Sequence, residues 1–212
     1  MSVSRNRGFT LLELMLALTM LAVVVTIVFG TFRVGVRAWE KGESDVELRH
    51  KQRTVLEQMR RQLASMSTRL LLEDGQKPFS PRGEDSRLRF VSELPLLHEN
   101  GYGLVYVEYR VDRGEGDGVI LSLFERNLVF LEEDFFEDEP DADQFIQLLT
   151  GISSFSFEYM NRSAEGEKGE WQEEWNPEDE PFFPLAVKIS LTVADDTPPI
   201  AVIAAVEGDM EP

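Results

Sequence analysis

The fold is decided near the N-terminus, where residues 7–32 read RGFTLLELMLALTMLAVVVTIVFGTF. No charged side chain occurs from Leu14 to Phe32. This run is apolar on every face, unlike a surface helix of a soluble protein, which has one apolar stripe. At about 1.5 Å per residue, a helix of this length reaches roughly the thickness of a bilayer's hydrocarbon core. The sequence therefore predicts a membrane-spanning helix, with a fully buried soluble helix as the alternative.

The flanks of the apolar run bear on how it is processed. No small-residue cleavage site of the secretory kind follows Phe29, so removal of the whole segment is disfavoured. A short basic leader with Arg5 and Arg7 precedes the run, but Arg33 and Arg37 follow it closely. The distribution of positive charge therefore gives only a weak orientation signal.

The block from Arg7 to Leu14 resembles the prepilin motif of type IV pilins and type II secretion pseudopilins. The resemblance implies that a prepilin peptidase cleaves between Gly8 and Phe9, removing residues 1–8 as a leader. It also implies that Phe9 becomes the N-methylated mature N-terminus. Glu13 matches the family's acidic residue at the fifth mature position, which serves filament assembly.

A carboxylate in an apolar span needs a partner, which gives Glu13 a physical role. Cleavage after Gly8 would create a positive α-amine on Phe9, and N-methylation would keep that charge. Phe9 and Glu13 are four residues apart, so on one helix they share a face and could pair within the chain. The resemblance favours the other arrangement, in which Glu13 meets the Phe9 amine of a neighbouring subunit.

The rest of the chain predicts an α+β, pilin-like fold. Strong helix formers continue after the span, and apolar residues recur at helical spacing from Val55 to Met66. We expect residues 9–32 to form the membrane and filament-core helix and residues 33–72 its amphipathic stalk. Residues 73–212 carry short β-branched and aromatic runs between turns, which predict an antiparallel sheet against which the long helix packs.

Motifs in the C-terminal part resemble minor pseudopilin J of the general secretion pathway. They are a turn entering a strand at residues 147–159, the pair Trp171 and Trp175, and a strand at residues 184–192. The resemblance implies a place at the pseudopilus tip with minor pseudopilins I and K, where the complex initiates the filament. It also implies contact with the major pseudopilin, the prepilin peptidase and the inner-membrane assembly platform, with the globular domain in the periplasm.

The composition of the chain argues against nucleic-acid binding and against catalysis. The chain has 39 acidic and 21 basic residues, a formal net charge of -18 that opposes nucleic-acid binding. It has no cysteine, and we find no convincing catalytic motif, so we expect neither an enzyme nor a resident cofactor. Acidic runs at residues 132–143 and 173–180 could offer oxygen ligands to calcium, so calcium binding stays an alternative. The competing functions are a minor pilin of a type IV or competence pilus and an unprocessed, single-pass anchored binding protein.

Overall fold

The computed structural model describes residues 10–67, 80–101, 103–114, 116, 118–131, 140–161, 169–177, 179, 183–194 and 197–206, with backbone alone at 40, 41, 44 and 45. The chain has two compact units, Met1–Lys51 and Gln52–Pro212. One helix of 54 residues, α1 (Leu11–Ala64), supplies the described part of the first unit and enters the second.

In the described residues after the helix, nine strands form two antiparallel sheets. In chain order the strands are β1 Arg82–Gly83, β2 Arg87–Ser92, β3 Val105–Arg113, β4 Val119–Asn127, β5 Ile146–Ile152, β6 Ser154–Met160, β7 Trp171–Gln172, β8 Ala186–Thr192 and β9 Ile200–Ala205. The first sheet has the order β1-β2-β3-β4-β5 and the second the order β7-β6-β8-β9. This arrangement confirms the predicted α+β fold class, with a long apolar N-terminal helix and antiparallel β-structure.

The core lies where the last turns of α1 meet the inner faces of both sheets. Val55, Leu56, Met59 and Leu63 are buried on one side of the helix, which confirms the apolar stripe seen in the sequence. Strand β6 alternates strictly between buried and more exposed residues, so its aromatic side chains all point into the same core. A single hydrophobic cluster therefore joins the helix to both sheets.

The structure corrects the sequence prediction in two respects. The helix ends at Ala64 rather than near residue 72, because the chain at once joins the first sheet. Met66 bridges to Ser92, and the Ser67 N–H donates to the Val91 carbonyl at 2.8 Å. The predicted single sheet is also two sheets, because Ser153 alone separates β5 of the first sheet from β6 of the second. Gly151 takes a left-handed conformation (φ 67°) just before this point, where the β4–β5 register shifts.

A buried carboxylate ties α1 to the loop after β2. Glu125 on β4 is 7% exposed, and each of its two oxygens accepts two hydrogen bonds. Oε2 accepts from Gln62 Nε2 at 2.6 Å and Leu96 N at 2.8 Å, and Oε1 from Leu97 N at 2.9 Å and Asn100 Nδ2 at 2.8 Å. All four acceptor positions of the carboxylate are therefore used.

The same network extends to a buried tyrosine. The Tyr109 hydroxyl donates to Gln62 Oε1 at 2.6 Å. Burial, and then the nearby Glu125 carboxylate, raise the pKa of Tyr109 well above its usual value. The hydroxyl therefore stays protonated and remains a donor, so that Gln62 is fixed from both ends of its amide.

We predict that Glu125→Gln destabilises the protein by roughly 2 kcal/mol or more, because an amide nitrogen would face two donors where an oxygen now accepts. Urea unfolding of the full chain in detergent measures the change. Glu158→Gln is the matched control, because Glu158 forms only a partly exposed ion pair with Lys188 and should change stability by about 1 kcal/mol or less. Equal effects of the two substitutions would contradict the importance of the network.

Backbone hydrogen bonds between Trp175 and Gly83 hold β1, an edge strand of the first sheet, in place. Trp175 is 1% exposed, and its backbone exchanges hydrogen bonds with Gly83 at 2.8 and 2.9 Å. Tyr159 of the second sheet lies directly against Gly83 and donates its hydroxyl to the Glu84 carbonyl at 2.9 Å. Trp175 is thus a core residue, whereas Trp171 is half-buried and lies beneath Lys188, 5.5 Å from the ring centre.

Gly83→Ala should therefore destabilise the domain, because the added Cβ would overlap the buried ring of Tyr159. Overpacking of this kind costs about 1–3 kcal/mol, which thermal unfolding detects as a lower Tm. Gly42→Ala is the matched control, since a Cβ at Gly42 meets open space on a helix and should be neutral or slightly stabilising. An unchanged Tm for Gly83→Ala would show that the two sheets do not approach closely there.

Candidate functional site

The N-terminal end of α1 is built by a capping threonine. Thr10 precedes the helix, and its Oγ1 accepts from the Glu13 N–H at 3.3 Å while its carbonyl accepts from the Leu14 N–H at 3.2 Å. The sequence Thr10-Leu11-Leu12-Glu13 has the spacing of a capping box, a signal that our sequence analysis missed. Glu13 lies in the first turn, where the helix dipole favours a negative charge.

The helix that follows is apolar on all sides. From Leu11 to Phe29 its large apolar side chains are between 47% and 79% exposed, so none of its faces is buried in this chain. The segment Leu11–Trp39 is long and apolar enough to cross a membrane. Trp39 is 76% exposed at its end, close to Arg33 and Arg37, as is typical of residues at a membrane–water interface.

Hydroxyl groups within this segment are satisfied by the helix itself. Thr19, Thr26 and Thr31 donate to backbone carbonyls three or four residues earlier, at 2.9, 2.7 and 2.8 Å. Lipid offers no hydrogen-bond partner, so hydroxyls that bond back to their own helix can enter the bilayer at little cost. The three threonines are therefore compatible with a membrane span.

The Glu13 carboxylate is the exception. It is exposed among leucines, and it forms no hydrogen bond or ion pair with any residue that the structure describes. Gly8 and Phe9, the predicted cleavage and methylation residues, lie outside the described residues. Glu13 is the one charged side chain between Leu11 and Phe32, and in the membrane its partner must come from outside the described residues or from another molecule.

The described residues contain no group of three or more His, Asp or Glu side chains that could hold a metal ion. Residues 132–139, Glu178 and Glu180 of the acidic runs lie outside the described residues, so the expectation of no resident cofactor and the calcium alternative both stay untested. His50 and His98 lie on α1 and in a short 3-10 turn, and neither belongs to such a group. The N-terminal helix is the feature that carries the functional argument.

Comparison with known proteins assigns the family. Residues 30–204 match the model of type II secretion system (T2SS) protein J, and residues 3–29 match the prokaryotic N-terminal methylation motif. The chain belongs to the type II secretion system protein J family. It is also 27% identical over 203 residues to type II secretion system protein J of Xanthomonas campestris pv. campestris, covering 94% of this chain and 93% of that protein.

Membership of the protein J family confirms the resemblance found in the sequence and favours a secretion pseudopilin over a minor pilin of a pilus. The chain is a membrane-anchored minor pseudopilin of type II secretion, a family of structural subunits that interact with other pseudopilins. Its apolar helix supplies the anchor, and the family match spans the rest of that helix and both sheets.

Proposed function

We propose that the chain is cleaved after Gly8, methylated on Phe9, and assembled with minor pseudopilins I and K at the tip of the pseudopilus, which it helps to initiate. The single observation that carries this proposal is the Glu13 carboxylate, which has no partner among the described residues and is the one charged side chain between Leu11 and Phe32. In this proposal the helix lies in the bacterial inner membrane and the β-rich domain in the periplasm. The protein acts by assembly, with no catalytic step.

Glu13 has two possible counter-ions in the processed protein. An own-chain pair between Phe9 and Glu13 relies on both residues sharing one face of a helix. The described helix begins at Leu11, after the Thr10 cap whose side chain accepts from the Glu13 N–H. On the resemblance to the prepilin motif, we assign the counter-ion of Glu13 to the Phe9 amine of a neighbouring subunit.

The ion pair links processing to assembly. In the membrane, pairing with a cation offsets the cost of keeping a carboxylate in an apolar surrounding. Proteolysis supplies the cation, because the uncleaved chain has its α-amine at Met1, eight residues further from the helix. Subunits that pair in this way are also held at one axial offset, which fixes the register of the filament.

The processed subunit would then contact two further partners, the major pseudopilin and the inner-membrane assembly platform.

Processing is tested on the N-terminus of the protein purified from its own bacterium. We predict that intact-mass and N-terminal peptide analysis show a chain that begins at Phe9 and carries one added methyl group. In cells that lack prepilin peptidase the chain should begin in the leader and carry no methyl group. A chain from wild-type cells that retains residues 1–8 would reject the proposal in favour of an unprocessed anchored protein.

The role of Glu13 is tested by three substitutions at one position. Glu13→Ala and Glu13→Gln remove the charge, so we predict that both reduce co-purification with the partner minor pseudopilins about tenfold or more while membrane insertion continues. Glu13→Asp keeps the charge and should retain much of the interaction. Since the Thr10 side-chain cap uses the Glu13 backbone, all three variants keep that bond. Undiminished co-purification of Glu13→Gln would contradict the ion pair.

A further inference from the structure

Within the part of the chain that the structure describes, the two sheets have four edge strands, and three of these are protected against pairing with another chain. Strands β1 and β7 have only two residues each, and β5 pairs with β4 through an irregular register. Short edge strands and bulges are common protections of this kind. Strand β9 has neither: its six residues pair with β8 without a register shift.

The composition of β9 adds to its exposure. Its sequence, Ile-Ala-Val-Ile-Ala-Ala, contains no charge and no proline, the two residue types that commonly block an edge. Ile203 is 55% exposed, and Ala201 and Ala205 are also exposed. Among the residues that the structure describes, no strand other than β8 pairs with β9. This edge is therefore both apolar and open.

Hydrogen bonds next to the strand show which backbone groups face the open edge. The Val206 N–H donates to the Leu185 carbonyl at 3.0 Å, which continues the β8–β9 register by one position. In an antiparallel pair the positions that bond across to the partner alternate along the strand. Ile200, Val202 and Ala204 therefore face β8. The residues that present their N–H and C=O groups to the open edge are Ala201, Ile203 and Ala205.

A second hydrogen bond gives the same alternation independently. The Phe157 N–H of β6 donates to the Asp85 carbonyl at 2.9 Å, so it points away from β8. Phe157 lies opposite Ile189, whose backbone must therefore point towards β9, where it lies opposite Val202. Both observations agree that Val202 bonds to β8 and that its neighbours along the chain do not.

We propose that the free edge of β9 accepts an extended segment of a different protein as an added strand. Main-chain hydrogen bonds to Ala201, Ile203 and Ala205 hold the segment, and alternate apolar side chains pack beside Ile203. The segment is flanked by basic residues, because the chain has a net charge of -18 and three carboxylates occur among the six residues after Val206. The same charge opposes pairing with a second copy of this chain.

The experiment uses the full chain in detergent micelles and a synthetic probe peptide of alternating valine and threonine with a lysine at each end. We expect the peptide to bind and to slow amide hydrogen exchange at Ala201, Ile203 and Ala205. A second peptide, N-methylated at every backbone amide, presents the same side chains but has no N–H group on either edge with which to complete the backbone ladder. Binding of both peptides with equal affinity would overturn strand addition, as would absence of protection at β9.

Substitutions at one position separate backbone bonding from apolar contact. Ala201→Pro removes an outward N–H while leaving the β8 side of the strand intact, a position at which an edge strand accepts proline. It should weaken binding of the probe about tenfold or more, while Ala201→Thr keeps the donor and should change it about threefold or less. An unchanged circular dichroism spectrum shows that Ala201→Pro still folds, and Ile203→Pro provides a second test of the same kind.

The oligomeric state tests the choice of occupant. Sedimentation of the detergent-solubilised chain should show a monomer at all concentrations. A dimer that forms at high concentration, and that Ala201→Pro abolishes, is not expected. Such a dimer would assign the edge to a second copy and overturn the proposal of a different partner. These measurements do not depend on the N-terminus, so failure of the strand-addition proposal and failure of the processing proposal are separate results.

Discussion

Glu13 is the one charged side chain between Leu11 and Phe32 of the membrane anchor, and the proposed assembly depends on what neutralises it. The three threonine hydroxyls of the span are bonded to the helix itself, and the apolar side chains face outward on all sides. The Glu13 carboxylate forms no hydrogen bond or ion pair with any residue that the structure describes. An unpaired charge is costly in lipid, so association with a molecule that supplies a cation would lower the free energy of the helix in the membrane.

The same helix serves two different surroundings. Near its start every face is apolar and exposed, whereas from Val55 onward one stripe is buried against the sheets and the other side carries charges. The change follows directly from the sequence, where a continuous apolar run gives way to apolar residues at three- and four-residue spacing. Membrane anchoring and domain folding are therefore encoded in successive parts of one element.

Sequence reasoning predicted the helix, the α+β class and most of the longer strands, because these depend on local periodicity. It was wrong about β5 (Ile146–Ile152), most of which it assigned to a turn entering the next strand. It missed the division into two sheets and the early end of α1, which depend on long-range pairing such as that of Met66 with Ser92. It also missed the buried Glu125 network, because a glutamate in a strand gives no local sign that four donors will surround it. The Thr10 cap was readable from the four-residue capping pattern.

The pairing of Glu13 with the N-terminal amine of another subunit can be measured in assembled complexes. Solid-state NMR measures it directly, with ¹³C-glutamate in this chain and ¹⁵N in the partner pseudopilins. We predict a distance of about 4 Å between the Glu13 carboxyl carbon and a partner's α-amine nitrogen. A contact that appears only when the ¹⁵N label is on this chain's own Phe9 would contradict it.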